Sequence, residues 1–358
     1  MNWRAYLLPG LVFQSVIIGG GYATGRELVE FFLPAGPLGG LLGLLVAGAA
    51  FAVVMGTAYE FARITRAHDY RTFTRALLGR AWPVYELAYL ALVILILAVV
   101  GSAAGELANS ALGWPPWAGT VGMMLLVGLL TFLGSSAIGS ALAGWSVLLY
   151  AVYLLLFGLT FIDHGQAIEA ALDSAPERQD WALAGIRYAA YNASIPAVLF
   201  CMTLLSSRRQ AVGAGVMTGV IAIIPALLFY LAMLAHYPRI AAEPVPALYL
   251  MSKLDVPWLG ALFQLVVFGT FVETGAGVLH AINERLDVAA RERGAALPRG
   301  VRPAIALGLL VLSVYGATSF GIVALIARGY GLLSWTFIVV LILPLMTVGI
   351  WRIFRGTV

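Results

Sequence analysis

The fold is decided by a glycine-rich stretch in the first apolar segment of the chain, Ile17-Ile18-Gly19-Gly20-Gly21-Tyr22-Ala23-Thr24-Gly25-Arg26-Glu27. The whole segment, residues 5–33, is long enough to cross a bilayer as a helix. Four glycines in seven residues make a poor helix interior, because each costs about 1 kcal/mol relative to alanine. The sequence therefore predicts a membrane-spanning helix whose backbone is broken near its middle.

A second interruption lies in the sixth apolar segment, which reads Tyr191-Asn192-Ala193-Ser194-Ile195-Pro196. Proline removes a backbone donor and clashes with the preceding turn, and Asn192 and Ser194 can bond the freed backbone groups. Broken backbone at membrane depth is tolerated only where it faces protein or a water-filled cavity. Two breaks five segments apart are typical of inverted-repeat transporters. The alternative is a close helix-packing surface at Gly19–Gly25 and a simple kink at Pro196.

Composition places the chain in the membrane. Of its 358 residues, 61% are hydrophobic and only 11% are charged, whereas a soluble domain carries about 25% charged residues. The single cysteine, Cys201, excludes an intramolecular disulfide. We predict an all-α membrane protein, a single transmembrane domain over residues 1–358, with a weaker helical segment at 319–328 lying in a loop. The ten predicted spans are 5–33, 37–61, 83–108, 115–133, 138–161, 183–206, 211–236, 256–283, 301–317 and 331–354.

Charge alternates between successive loops. Five arginines follow span two, two follow span six and five follow span eight, and Arg352 and Arg355 lie at the end of the chain. The loop after span five is acidic instead. Because Lys and Arg favour the cytoplasmic side in short loops, the pattern predicts an even number of spans with both termini cytoplasmic. The expected location is the bacterial cytoplasmic (inner) membrane.

At this point the sequence resembles the amino acid–polyamine–organocation superfamily, with its LeuT-type five-plus-five inverted repeat. The stretch Ile18–Glu27 is similar to bacterial YkvI-type membrane proteins, which usually carry Gly-Ala-Gly-Phe-Ala-Ser/Thr-Gly-Gln/Arg-Glu in the first span. The topological resemblance covers nearly the whole chain, and the motif covers about ten residues. The resemblance implies a transporter with repeat one at about 5–161 and repeat two at about 183–354, in which spans one, two, six and seven move against spans three, four, five and eight.

The resemblance also implies a site between spans one, three, six and eight. The matching substrate-binding positions are Gly19, Gly20, Gly21, Tyr22, Ala23, Thr24, Ser102, Tyr191, Asn192, Ser194 and Glu273. A coupling sodium ion is expected between the backbone of Ile17 and Gly20 and the hydroxyls of Thr270 and Thr274, close to Glu273. Glu273 stands where related carriers have a second hydroxyl residue. Span five lacks the lysine that replaces sodium in proton-coupled relatives, so sodium is expected ahead of a proton.

Charged residues within the spans are functional candidates, because placing them in hydrocarbon is costly. Glu273 is expected to bind a cation, carry a proton or pair with a cationic substrate group; the alternative is a structural partner for a buried arginine. Arg26 and Glu106 are predicted to form an external gate, or else a fixed salt bridge. Glu27 and Glu30 lie three residues apart, and one of them is expected to pair with a neighbouring residue of the same helix. Glu60 and Glu86 are expected to pair with the basic loops.

No phosphate-binding loop, nucleophile elbow or zinc motif is present in the sequence, and no basic patch suits nucleic acid. We therefore predict no enzyme, no cofactor beyond a sodium ion or proton as coupling ion, and a small-molecule substrate. The predicted function is ion-coupled secondary transport of an amino acid or related amine by alternating access. The alternatives are a proton-coupled carrier of a nucleobase or organic cation, a channel or sensor, and an intramembrane enzyme using Glu273 and His280.

Overall fold

The protein is described here from a computed structural model. It is helical throughout the described ranges, with no strand among them. The side chain of His280 and most of the loop after span eight lie outside the described residues. The structure describes residues 3–133, 135–173, 180–254, 256–292 and 300–355, apart from the side chains at 20, 132–133, 135–147, 257, 280–281, 283–284, 287–292 and 302.

Two of the ten predicted spans are broken into separate helices, and the helix of span five is kinked at His164, where φ is −130°. Span one consists of three helices, Trp3–Ile17, Gly20–Thr24 and Arg26–Phe32. In span six, the helix Trp181–Asn192 is followed by the 3₁₀ turns Ile195–Ala197 and Leu199–Leu204. Two further helices, Tyr70–Leu78 and Pro246–Lys253, lie in loops. The continuous spans two, three, four, five, seven and eight are Gly36–Thr65, Trp82–Leu112, Pro116–Leu133, Ser135–Leu172, Arg208–Leu234 and Pro257–Glu292.

Length and apolarity support this count. Within the described residues, six helical segments are long and apolar enough to cross a bilayer, and Pro116–Thr131 is a shorter apolar helix. The last long segment, Pro303–Arg355, supplies spans nine and ten. Spans one and six are not counted among these long segments, because each is broken into shorter helices.

The prediction for residues 319–328 was wrong. Gly321 has a φ of 69° and turns the chain sharply between spans nine and ten. Glycine adopts this conformation without the steric cost that a side chain imposes, so no loop is needed. The residues after Gly321 belong to span ten, which therefore begins well before residue 331. Span ten contains the π-helical turns Leu325–Tyr330, Ile338–Ile342 and Leu345–Gly349 and ends with Ile350–Arg355.

Spans two and seven pack with their backbones in contact. A Cβ atom added to Gly215 would lie 2.2 Å from the Cα of Gly56. One added to Gly219 would lie 2.5 Å from the carbonyl oxygen of Gly48. Small residues allow this close approach between membrane helices, where apolar side chains gain little by leaving lipid. A buried hydrogen bond of 3.1 Å between the hydroxyls of Tyr59 and Thr218 ties the same pair of spans together.

The spans form two packed groups. Spans one, two, six and seven pack on one another, with the pair of spans two and seven at the centre of this group. Span three packs on spans four, eight and nine, and span eight also packs on span five. The first group consists of the same four spans that the resemblance implied would move together. We call the end of the bundle that carries the loops after spans two, six and eight the basic face, and the other end the opposite face.

We predict that Gly215→Ala lowers the thermal unfolding temperature in detergent, followed by tryptophan fluorescence. The added methyl group must displace backbone of span two, and overpacking of this kind costs about 1–3 kcal/mol. Gly308→Ala is the matched control, because a Cβ there meets nothing within 4 Å. Alanine is the better helix former, so the control is expected to keep or raise the unfolding temperature. Equal shifts in the two variants would contradict the close packing of spans two and seven.

Candidate functional site

The two broken spans meet at one cavity in the middle of the bundle. We call it the central cavity; its volume is about 80 Å³. Both breaks contribute to its wall, and spans three, eight and ten complete it. The lining residues are Val16, Ile17, Gly19, Glu27, Tyr89, Leu92, Val93, Ile96, Tyr191, Asn192, Ser194, Pro196, Ala197, Thr274, Val278 and Tyr330.

Span one is broken twice. Gly19 is extended, with φ −97° and ψ −162°, and Gly25 has a φ of 80°. The short helix Gly20–Thr24 between them, which we call the central turn, is held by neighbouring side chains. The hydroxyl of Tyr153 on span five donates a hydrogen bond of 2.6 Å to the carbonyl of Ala23. Such bonds replace the helical partners that the breaks remove, as lipid cannot.

The break in span six lies where the sequence predicted it. Helix Trp181–Asn192 ends, and the amide of Ser194 donates to the carbonyl of Asn192 at 2.6 Å. The side-chain amide of Asn192 donates to the carbonyl of Tyr188 at 3.2 Å. Tyr188 lies within the helix, so the prediction that Asn192 and Ser194 bond the backbone groups freed by the break stays a prediction.

Glu27 connects the two breaks. Its side chain is buried, and it accepts a hydrogen bond of 2.6 Å from the Tyr191 hydroxyl. The backbone N–H of Tyr22 faces the same carboxylate. A Cβ atom on Gly21 would lie 2.1 Å from Glu27 Oε1, so this glycine leaves the space that the carboxylate fills. Sequence reasoning did not place Glu27 at the site, although the glycine-rich motif ends on it.

A stack of three aromatic rings fixes Tyr191. Its ring lies 5.4 Å from that of Phe31 and 4.6 Å from that of Tyr330, between centroids, with interplanar angles of 25° and 16°. Spans one, six and ten are thereby joined beside the central cavity. Because both ring faces of Tyr191 are covered, its hydroxyl is held towards Glu27.

A larger cavity leads from the central cavity to the basic face. We call it the vestibule; its volume is about 700 Å³. The two cavities share wall residues that include Val16, Tyr89 and Thr274. At its outer end the vestibule is lined by Asp69, Tyr70, Arg71 and Arg285.

Arg285 is held at the mouth of the vestibule. The guanidinium carbon lies 3.9 Å and 3.7 Å from the ring centroids of Tyr70 and Tyr89. Glu86 lies 3.7 Å from Arg285. Nearby, Arg63 makes two hydrogen bonds of 2.7 Å to Glu60. The predicted pairing of Glu60 and Glu86 with basic residues of this side is therefore confirmed.

On the opposite face, Arg26 closes the site. Its guanidinium donates hydrogen bonds of 2.9 Å and 3.0 Å to the carbonyls of Ala241 and Glu243, in the loop after span seven. It also forms a salt bridge of 3.0 Å with Glu30. The predicted pair of Arg26 with Glu106 is wrong for this structure, because the loop after span seven and Glu30, one turn along, already occupy the guanidinium. In the part of the chain that the structure describes, the vestibule therefore opens at the basic face, and the contacts of Arg26 close the opposite face.

Eight of the predicted site residues line the two cavities. The central cavity takes Ile17, Gly19, Tyr191, Asn192 and Ser194, the vestibule takes Thr270 and Glu273, and Thr274 lines both. Within the described ranges, no group of three or more His, Cys, Asp and Glu side chains is suited to hold a metal ion.

The other predicted residues lie outside these walls. Gly20 begins the central turn, and Gly21, Tyr22, Ala23 and Thr24 are buried within it. The structure does not place Ser102 at the site: span three lines the central cavity at Tyr89–Ile96, closer to the basic face. Residues around Ser102 instead pack on span four, where Thr120 Oγ1 donates to the carbonyl of Gly101 at 2.9 Å.

Span eight passes close to the first break. A Cβ atom on Gly19 would lie 3.4 Å from Cγ2 and 3.8 Å from Oγ1 of Thr274. One turn earlier, Thr270 is buried and its hydroxyl donates to the carbonyl of Val266 at 3.0 Å. The oxygen of Thr270 keeps its lone pairs for another partner. The side chain of Thr274 on span eight and the backbone of Gly19 on span one are therefore close together here.

Comparison with known proteins agrees with this geometry. No family model matches the chain. It is 24% identical to the "Uncharacterized membrane protein YkvI" of Bacillus subtilis (strain 168) over 77% of this chain and 79% of that protein. The solved structure of MhsT in complex with L-phenylalanine matches with a TM-score of 0.61 at 15% identity, covering 97% of each chain. The protein has the LeuT fold.

A second solved structure supports the same fold. The substrate-bound outward-open state of a Na⁺-coupled sialic acid symporter matches with a TM-score of 0.63 at 14% identity. The match covers 93% of this chain and 78% of that chain. The predicted all-α membrane fold with broken spans one and six is therefore confirmed. The division into residues 5–161 and 183–354 stays a prediction.

We predict that Arg26→Gln loosens the opposite face. The variant loses the charged hydrogen bonds to the loop after span seven, each worth about 1.5–3 kcal/mol. Amide hydrogen exchange across residues 236–245, measured by mass spectrometry, is expected to speed up by about tenfold or more. Arg80→Gln on the basic face is the control and should leave this loop unchanged. Unchanged exchange in the Arg26 variant would show that Arg26 does not hold the loop.

Proposed function

We propose that the protein is a secondary active transporter that works by alternating access. The observation that carries this is the position of the two breaks, which share one central cavity that is open to one face and closed to the other. A channel needs a continuous path when open, whereas a carrier exposes its site to one side at a time. The LeuT fold of the solved neighbours supports the proposal.

The proposed substrate is an amino acid or a related amine. Its support is the small central cavity, with carbonyl, amide and hydroxyl groups at the breaks and an acidic side chain beside them. The MhsT structure with L-phenylalanine and the sialic acid symporter show that proteins of this fold bind organic molecules. The orientation follows from the basic loops: if the basic face is cytoplasmic in the bacterial inner membrane, the structure faces inward.

Sodium is the proposed coupling ion. A hard cation prefers oxygen ligands, and the place where Thr274 approaches Gly19 brings together hydroxyl and backbone oxygens. We assign the ion to the hydroxyls of Thr270 and Thr274 with the backbone of Ile17 and Gly20, and Glu273 adds negative charge from the vestibule. The sialic acid symporter is described as Na⁺-coupled, which supports this choice.

A proton-coupled carrier of an organic cation is the second candidate. Glu27 favours it, because a buried carboxylate beside the central cavity suits either a proton or a positively charged group. The two candidates differ in which gradient drives uptake.

Uptake by proteoliposomes tests the proposed function. We expect saturable uptake of a labelled amino acid or amine that an imposed inward sodium gradient accelerates several-fold. A proton gradient of matched size and sodium-free vesicles are the controls. Acceleration by the proton gradient alone would favour the second candidate. Flux that neither saturates nor responds to either gradient would contradict a coupled carrier.

Thr274→Val is predicted to weaken sodium dependence. The variant keeps the shape of the side chain and removes one oxygen ligand, so the sodium concentration for half-maximal uptake should rise by about tenfold. Thr318→Val, an exposed threonine on span nine, is the control and should match the wild type. Unchanged sodium dependence in the Thr274 variant would contradict the assignment of the sodium ion to this position.

A further inference from the structure

The described wall of the central cavity contains one ionisable side chain. Among the described residues that line it, Glu27 is the single side chain that is acidic or basic. The remaining polar groups are neutral, namely Asn192, Ser194, Thr274 and the tyrosine hydroxyls. Leu92, Val93 and Ile96 make one wall apolar.

No cation of the described chain neutralises Glu27. Its partners are the hydroxyl of Tyr191 and the backbone of Tyr22, and both are uncharged. Arg26 is adjacent in sequence, but its guanidinium is bound to Glu30 and two carbonyls. Arg285, at the far end of the vestibule, lies between two tyrosine rings near Glu86.

The position of the carboxylate is built by its neighbours. Gly21 leaves the space that Oε1 occupies, and the stack of Phe31, Tyr191 and Tyr330 holds the hydroxyl that binds Oε2. A buried carboxylate without a counter-charge is costly. Binding a cation in the cavity would offset that cost, whereas a second anionic group would add to it.

We propose that the transported substrate is a small organic monocation, an aliphatic amine without a carboxylate, whose ammonium group is bound by Glu27. This inference rests on the proposed function and narrows it. The ammonium donates to the carboxylate and to the neutral oxygens at the breaks, while the alkyl chain lies on the apolar wall of span three. The small cavity limits the chain to a few carbons. A zwitterion would bring its carboxylate into a cavity that already holds one.

Binding to the purified protein in detergent tests the inference independently of transport. The probes are ammonium ions from methylamine to hexylamine, and pairs with one carbon skeleton, isobutylamine with valine and isoamylamine with leucine. Titration calorimetry with and without sodium measures affinity. At least one amine should bind about tenfold more tightly than its paired amino acid, since the repulsion of one carboxylate by another is removed.

Variants at the carboxylate separate charge from shape. Glu27→Gln should weaken amine binding by about 30-fold, because a charged hydrogen bond becomes a neutral one. Glu27→Asp keeps the charge and should recover part of the affinity. Tyr191→Phe keeps the carboxylate and removes the hydroxyl that binds it. Its amine affinity is the second measurement if Glu27→Gln does not fold. Glu169→Gln, at an exposed position outside the cavities, should bind like the wild type.

Three results would overturn the inference: no amine of the series binds, valine or leucine binds more tightly than its amine, or a folded Glu27→Gln protein keeps wild-type affinity for the amine. Failure of the proposed function gives a different pattern. In that case amines bind in a Glu27-dependent way, but proteoliposomes show no saturable uptake of them.

Discussion

The hydrogen bond between Tyr191 and Glu27 is the interaction on which the centre of the molecule depends. It joins the helix that follows the second break of span one to the helix that precedes the break of span six, at a depth where lipid offers no hydrogen-bonding partners. Several neighbouring groups hold the two side chains of this hydrogen bond in place. Gly21 leaves room for the carboxylate, Phe31 and Tyr330 cover the tyrosine ring, and the N–H of Tyr22 faces the same carboxylate. The two breaks thus face a common cavity whose described wall holds one ionisable side chain.

The two faces of the molecule differ in structure. At the opposite face a single arginine holds a loop through backbone carbonyls, and at the basic face a wide vestibule reaches the central cavity. Between them, spans two and seven are packed backbone against backbone. Such an interface has little freedom to slide, because each glycine fits against the partner helix. Any change of access therefore has to move this pair as one body, and the contacts of Arg26 are among those that must break.

Much of the architecture could be predicted from the sequence, because lipid imposes simple constraints. Apolar segments of sufficient length define the spans, and the arginine-rich loops after spans two, six and eight differ from the acidic loop after span five. Glycines at 19–25 and Pro196 are poor helix residues, and the backbone is broken at both places. The structure brings Gly19, Asn192, Ser194 and Thr274 to one cavity, as the resemblance implied. These predictions hold because they depend on local backbone chemistry and on topology.

The predictions that failed depend on distances between remote parts of the chain. The partner of Arg26 is decided by how the loop after span seven folds back, which no local pattern encodes. Ser102 was placed by counting along span three, but the cavity lies two to three turns closer to the basic face. Glu27 was not placed at the site, because its partner Tyr191 is 164 positions away in the sequence, whereas the expected local pairing is made by Glu30 with Arg26. Residues 319–328 were predicted to lie in a loop, but Gly321 alone makes the turn between spans nine and ten.

Tyr330 shows how a change of helical register can determine a site. It ends the π-helical turn Leu325–Tyr330, and such a turn holds one residue more than the α-helical turn it replaces. One extra residue shifts every later side chain around the axis by about 100°. Span ten therefore presents different sides of its surface to its neighbours before and after this turn, and Tyr330, at the end of the turn, stacks on Tyr191. The wide turn thus contributes to which side of span ten faces spans one and six.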